Sequence, residues 1–157
     1  MPRPGARLAD RAAEPLPDAP PGLNRLFPTP AAIAASGAQV LTGPRTRIEN
    51  LARIAARLGT GELQLDLGDD LVEQRRRLLA EPGIGSWTAD YVAMRVLGAP
   101  DVLPTGDLAV RTGAHRLGLP DSPAGLAAWG RAVSPWRSYA SLHLWRAASL
   151  PTPKENR

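Results

Sequence analysis

Cysteine is absent from the 157-residue sequence. That excludes a disulfide framework, a thiol nucleophile, a cysteine zinc site and an iron–sulfur cluster held by thiolates. Histidine is scarce, and His115 and His143 are too few for an all-histidine metal cage. Lysine is scarcer still, with Lys154 the single example. No run of about 18 apolar residues exists, so no membrane span is predicted. A charged start followed by an apolar stretch is missing too, so no signal peptide is expected and the default location is the cytoplasm. The length suits one domain, with roughly two-thirds of the unfolded surface buried and no need of a covalent staple.

What the sequence does have is unevenly spread. Residues 1–70 carry 8 Arg against 8 acids, whereas residues 71–157 carry 10 Arg and Lys154 against 7 acids. All of the basic excess therefore lies in the second half. Six of the seven aromatics lie there as well: Trp87, Tyr91, Trp129, Trp136, Tyr139 and Trp145. Two readings stay open on composition alone. One is a nucleic-acid surface with a base pocket. The other, commoner arrangement is a solvated charged face over an aromatic core.

The fold class read from the pattern is all-α. Residues 1–30 hold 8 of the 17 prolines, which fixes φ and removes donors, so this stretch reads as a connector with one short helix across Gly5–Ala13. Thr29-Pro30 is a helix start, with Thr29 as N-cap and Pro30 in the first position. A second helix opens at Pro44, with Ile48, Leu51, Ile54, Ala55 and Leu58 at helical spacing, and is ended by Gly59 and Gly61. Leu63, Leu65 and Leu67 alternate like a strand, but a lone strand has no ladder, so an extended linker is predicted. Asp69 or Asp70 caps a helix to about Ala80. Further helices are predicted at about 86–97, 107–117, 123–132 and 135–149. Residues 31–149 form the main domain, and 150–157 a frayed tail.

The segment Leu78-Leu79-Ala80-Glu81-Pro82-Gly83-Ile84-Gly85-Ser86-Trp87-Thr88-Ala89 joins two helices by a tight turn. Pro82 stops the first helix, Gly83 and Gly85 leave the backbone bare, and Ile84 plugs the gap. The next helix then starts with outward N–H groups, which suits an anion such as a DNA phosphate. An ordinary helix–turn–helix corner uses the same glycines for geometry alone. Asp107, after Gly106, reads first as the N-cap of the helix that follows. Asp101 reads as a turn residue. Trp87 and Tyr91 are i and i+4 and share a helix face. With Ile84, Val92, Met94 and Val96 their helix is apolar nearly all round and is predicted to be buried. Trp129 and Trp136 read as core or scaffold. Arg75, Arg76 and Arg77, like Arg111 and Arg137, read as solvated charge with phosphate contact as the rival role. His115 and His143 read as structural.

Together these segments resemble the helix–hairpin–helix DNA glycosylase superfamily, in particular DNA-3-methyladenine glycosylase II of the alkylation-repair branch. The hairpin, Asp101-Val102-Leu103-Pro104-Thr105-Gly106-Asp107, Pro135-Trp136-Arg137-Ser138-Tyr139-Ala140, Leu142-His143-Leu144-Trp145 and Phe27-Pro28-Thr29-Pro30 carry the likeness, over about residues 5–149. The resemblance implies a monomeric base-excision enzyme acting on double-stranded DNA that contains alkylated bases. It makes Asp107 the catalytic carboxylate, which stabilises positive charge on the sugar. It places Trp87, Tyr91 and Trp145 in the base pocket, where an alkylated, cationic purine stacks on π faces. Gly83, Ile84, Gly85 and Ser86 then bind DNA phosphate. Backbone carbonyls of Leu79, Glu81 and Gly83 are the implied ligands of a structural monovalent cation, and no other cofactor is implied.

Position 87 sets the reaction subtype. The bifunctional relatives of this superfamily carry a lysine there that forms a Schiff base, whereas this sequence has Trp87. The resemblance therefore implies a monofunctional hydrolase. It also implies an N-terminally shortened chain, without the family's β-rich domain and without the helix whose side chain wedges into the duplex. The alternative consistent with that departure is a non-catalytic DNA-binding module or an inactive fragment of a larger repair protein.

Overall fold

The computed structural model describes residues 4–20 and 24–150. The predicted frayed tail lies largely outside them, as does Lys154. Among the described residues there are eight α-helices and no strand, and the nearest thing to a sheet is a single bridge between Pro15 and Arg25. The all-α reading holds. No described helix is long and apolar enough to cross a membrane. The chain divides into two compact units, one formed by residues up to Gln64 with Glu81–Gly83, the other by Leu65–Ala80 with residues from Ile84 onward.

In the first unit, α1 spans Pro4–Ala12, α2 Pro30–Val40 and α3 Arg45–Thr60. Thr29 caps α2 as predicted, its hydroxyl accepting from the amide of Ala32 at 3.2 Å. Gly61 ends α3 with φ +77°, a left-handed cap that a side chain resists. Gly59 does not end the helix but lies inside it. A Cβ there would stand 3.4 Å from the backbone nitrogen of Ala31, so the small residue serves close packing of α3 on α2. Leu8, Ala55 and Leu63 are buried in this unit. Glu81 is buried with them, its carboxylate accepting from Arg57, whose Nε lies 3.4 Å from Glu62.

In the second unit, α4 spans Leu71–Leu79, α5 Ser86–Arg95, α6 Leu108–Arg116, α7 Pro123–Gly130 and α8 Arg137–Ser149, with a 3-10 turn at Arg131–Val133. Asp70, rather than Asp69, caps α4 through the amides of Val72 and Glu73. The predicted extended linker before it holds no strand and ends in a turn at Leu67–Gly68, with Asp66 held by a side chain. The buried Gln74 amide accepts from the Asp66 amide at 2.9 Å and donates to its carbonyl at 2.8 Å. This one side chain does the work of a partner strand. The core of the unit is Val110, Ala114, Leu126 and Leu144, with Leu103, Leu119, Trp129 and Trp145 packed around it.

One sequence expectation needs correcting and another is narrowed. Helix α5 is not buried all round: Ala89, Ala93 and Met94 face inward, while Trp87, Tyr91 and Val96 are exposed. Apolar residues on its outer face stack on one another instead of on the core. Of the two readings of Trp136, core or scaffold, core is excluded, the ring being 60 % exposed and set edge-on against Tyr139.

Leu126 is fully buried in the centre of this cluster. Truncation leaves a cavity that the surrounding helices fill only in part. Leu126→Ala is expected to lower unfolding free energy by about 3 kcal/mol in urea titrations, without loss of helical signal at low denaturant.

Candidate active site

The second unit gathers one carboxylate and three rings at the N-terminus of α6. Asp107 caps that helix, its Oδ1 accepting from the amide of Val110 at 2.8 Å. The N-cap reading is therefore correct, and it consumes only part of the carboxylate. Trp145 on α8 donates its indole N–H to the same oxygen at 3.2 Å. Trp87 on α5 donates its indole N–H to Oδ2. Tyr91 lies between the two indoles, stacked on Trp87 with centroids 5.3 Å apart and tilted against Trp145 at 5.8 Å. Four residues from three helices thus form one face, and Trp87 keeps about half its surface open to solvent.

The electrostatics follow from these partners. Burial pushes the Asp107 carboxyl up. The amide of Val110, the indoles of Trp87 and Trp145 and the amide of Ala109 together outweigh burial and hold the carboxyl below its ordinary value. At neutral pH the group is an anion that accepts and cannot donate. A carboxylate at the edge of a wall of π faces complements a flat cation, through charge and through the ring quadrupoles.

The rival carboxylate, Asp101, is committed elsewhere. Arg137 grips it with Nε at 2.6 Å and Nη2 at 2.7 Å, and Ser134 donates to it at 2.9 Å. That bidentate pair, chiefly the Arg137 hydrogen bond, holds the carboxyl far below its usual range. Asp101 is thus an anchor rather than a plain turn residue. The same loop is held to α8 by Ser138, whose hydroxyl donates to the carbonyl of Ala99 at 2.6 Å and accepts from the amide of Val102 at 3.0 Å. Ser141 donates to the carbonyl of Val102 at 3.0 Å. These anchors fix the loop that ends in Asp107. Serine carries no pattern that would have marked them in the sequence.

The other predicted residues are placed as follows. Ile84, Gly85 and Ser86 lead into α5, and no side chain caps that helix. Gly83 belongs to the first unit, with φ +87°. A Cβ there would also come within 2.5 Å of the Asn50 side-chain nitrogen, the end of a side chain that can move, so it is the left-handed φ that requires glycine. Of the residues assigned to a cation, Leu79 belongs to the second unit and Glu81 and Gly83 to the first. The arginines singled out as charge are mostly paired. Arg76 and Arg77 hold Glu73, whose carboxyl falls to about 2, and Arg75 holds Asp90 at 2.7 Å. Arg111 donates to the carbonyl of Asp121 at 2.7 Å. His115 lies 3.1 Å from the Asp121 carboxylate, and His143 is exposed.

The chain is 38 % identical over 145 residues to the probable bifunctional transcriptional activator/DNA repair enzyme AlkA of Mycobacterium tuberculosis, covering 92 % of this chain and 29 % of that protein. It is 34 % identical over 143 residues to DNA-3-methyladenine glycosylase 2 of Escherichia coli, covering 89 % of this chain and 49 % of the relative. Among solved structures, the 3-methyladenine DNA-glycosylase of Archaeoglobus fulgidus superposes with a TM-score of 0.75 at 26 % identity, over 91 % of this chain and 50 % of that one. The chain is homologous to the DNA-3-methyladenine glycosylases. Its fold is theirs, over a length that is half or less of these three proteins. No protein-family model matches it.

The lowered carboxyl of Asp107 has a thermodynamic consequence. A group whose folded pKa lies below its unfolded value adds stability above the unfolded pKa and loses it as pH falls through the folded one. The stability advantage of the native chain over Asp107→Asn is expected to be constant above about pH 5 and to close below about pH 4, the unfolded range of an aspartate. Urea titrations across that interval measure it.

Proposed function

We propose that this chain is a monofunctional DNA glycosylase that hydrolyses the N-glycosidic bond of alkylated purines, of the 3-methyladenine type, in duplex DNA. One observation carries the reading: an acceptor-only carboxylate, Asp107, stands at the rim of the Trp87–Tyr91–Trp145 wall. Homology to the 3-methyladenine glycosylases and the basic excess of residues 71–157 support it.

The chemistry follows from these residues. A nucleotide rotated out of the duplex lays its alkylated, positively charged base on the aromatic wall. The C1′–N bond breaks with its electron pair going to the base, which leaves neutral. That departure needs no general acid, and Asp107 has no proton to give. Positive charge passes to the sugar ring, where the ionised carboxylate stabilises it. Water adds its oxygen to C1′, and its proton passes to Asp107 and on to solvent. Among the described residues there is no lysine to attack C1′, position 87 being tryptophan, so the reaction stops at an abasic site.

The start of α5 binds the DNA backbone through amides of Ile84, Gly85 and Ser86, where no side-chain cap competes with an anion.

The test is release of free base from methylated duplex DNA. The native chain is expected to release 3-methyladenine, and Asp107→Asn to slow release by about a hundredfold or more with duplex affinity retained. Binding without release by the native chain would overturn the catalytic reading and favour a DNA-binding module.

A further inference from the structure

We propose that Gly113 is a positioning residue: its missing side chain lets α8 meet α6 backbone to backbone, and that contact sets Trp145 at hydrogen-bond distance from Asp107. The inference rests on the role just proposed for that site. Gly113 lies in the middle of α6, six residues after Asp107. A Cβ on it would fall 1.9 Å from the carbonyl oxygen of Leu144, 2.6 Å from its carbonyl carbon and 3.0 Å from its Cα. A carbon normally keeps about 3.3 Å from such an oxygen. Helix α8 would therefore have to retreat by roughly 1.4 Å. Trp145 is the next residue along α8.

The neighbours make the retreat selective. The Asp107 carboxylate is fixed within α6 by the Val110 amide, so it does not follow α8. Its bond to Trp145 is already 3.2 Å long, at the outer edge of the normal range, and a further ångström breaks it. The first turn of α8 is held by Arg137, Ser138 and Ser141. At its far end, Arg116 donates to the carbonyls of Ala147, Ala148 and Leu150 through a long side chain that can adjust. Other buried contacts of this kind are softer. A Cβ at Gly130 would meet the end of the Leu103 side chain at 2.7 Å, which can swing aside. The Asp107 carboxylate is held by the amides of Val110 and Ala109 and by both indoles, and none of these donors carries a formal charge, so each donor that is lost moves its titration upward.

The experiment is nuclear magnetic resonance on the folded full chain, which needs no catalytic turnover. In Gly113→Ala, the Trp145 indole N–H resonance is expected to move away from its hydrogen-bonded position, while those of Trp129 and Trp136 stay. The Asp107 carboxyl is expected to titrate at higher pH, because a donor to its charged form is lost. Trp145→Phe alone is expected to raise the same pKa, and adding Gly113→Ala to it to change nothing further. Gly130→Ala is expected to leave both readouts unchanged. Base release by Gly113→Ala is expected to fall about tenfold at constant duplex affinity, the scale of one hydrogen bond to a charged group.

An unmoved Trp145 resonance in folded Gly113→Ala overturns the proposal, as does an unchanged Asp107 pKa in Trp145→Phe. A Gly113→Ala chain that does not fold also overturns it, since the strain is then not relieved by displacement of α8. Absence of base release in the native chain bears on the glycosylase reading alone and leaves these resonance outcomes to decide the role of Gly113.

Discussion

A single carboxylate joins three helices of the second unit. Asp107 closes the open end of α6 through the Val110 amide, and its remaining capacity receives one indole from α5 and one from α8. Each bond alone is modest, about 1 kcal/mol net, somewhat more to a charged acceptor. Their joint effect is directional. The exposed Trp87 ring and the core-packed Trp145 ring both turn their indole N–H to the carboxylate, with Tyr91 against each of them. Structure and proposed chemistry therefore draw on the same group. The bonds that organise the face are also those that keep the carboxyl ionised.

That arrangement depends on the loop before Asp107 being held in place. The Asp101–Arg137 pair, with Ser138 and Ser141, fastens residues 99–102 to the start of α8. The loop thus shares its backbone hydrogen bonds between side chains of one helix and backbone partners, the Ser138 amide donating to the carbonyl of Pro100. A loop fixed in this way presents the N-cap of α6.

Much of this was legible in the sequence. Caps such as Thr29, Asp70 and Asp107 declare themselves because only short polar side chains reach the first amides of a helix. Gly83 was legible because Pro-Gly-Ile-Gly between helical patterns has few other uses. The grouping of Trp87 with Tyr91 followed from i, i+4 spacing. What could not be read were relations set by packing. Helix α5 looks buried in sequence because its outer face is apolar, yet Trp87 and Tyr91 satisfy that face by stacking on each other. Asp101 looked like any aspartate before a proline, and its commitment to a residue 36 positions away left no local sign. Gly113 sits in a helix with nothing to distinguish it from a weak helix former. Its reason is the Leu144 carbonyl, which only the folded chain supplies.

The hairpin has one further consequence. Its residues Glu81–Gly83 belong to the first unit, while the residues on either side belong to the second. The chain therefore passes from one unit to the other three times, and Glu81 goes into the interior of the first with Arg57 on its carboxylate. Scission between Gln64 and Leu65 would leave each product incomplete, the upstream piece without its buried acid and the downstream piece carrying it without Arg57. These units are not modules that recombination could exchange by a single crossover.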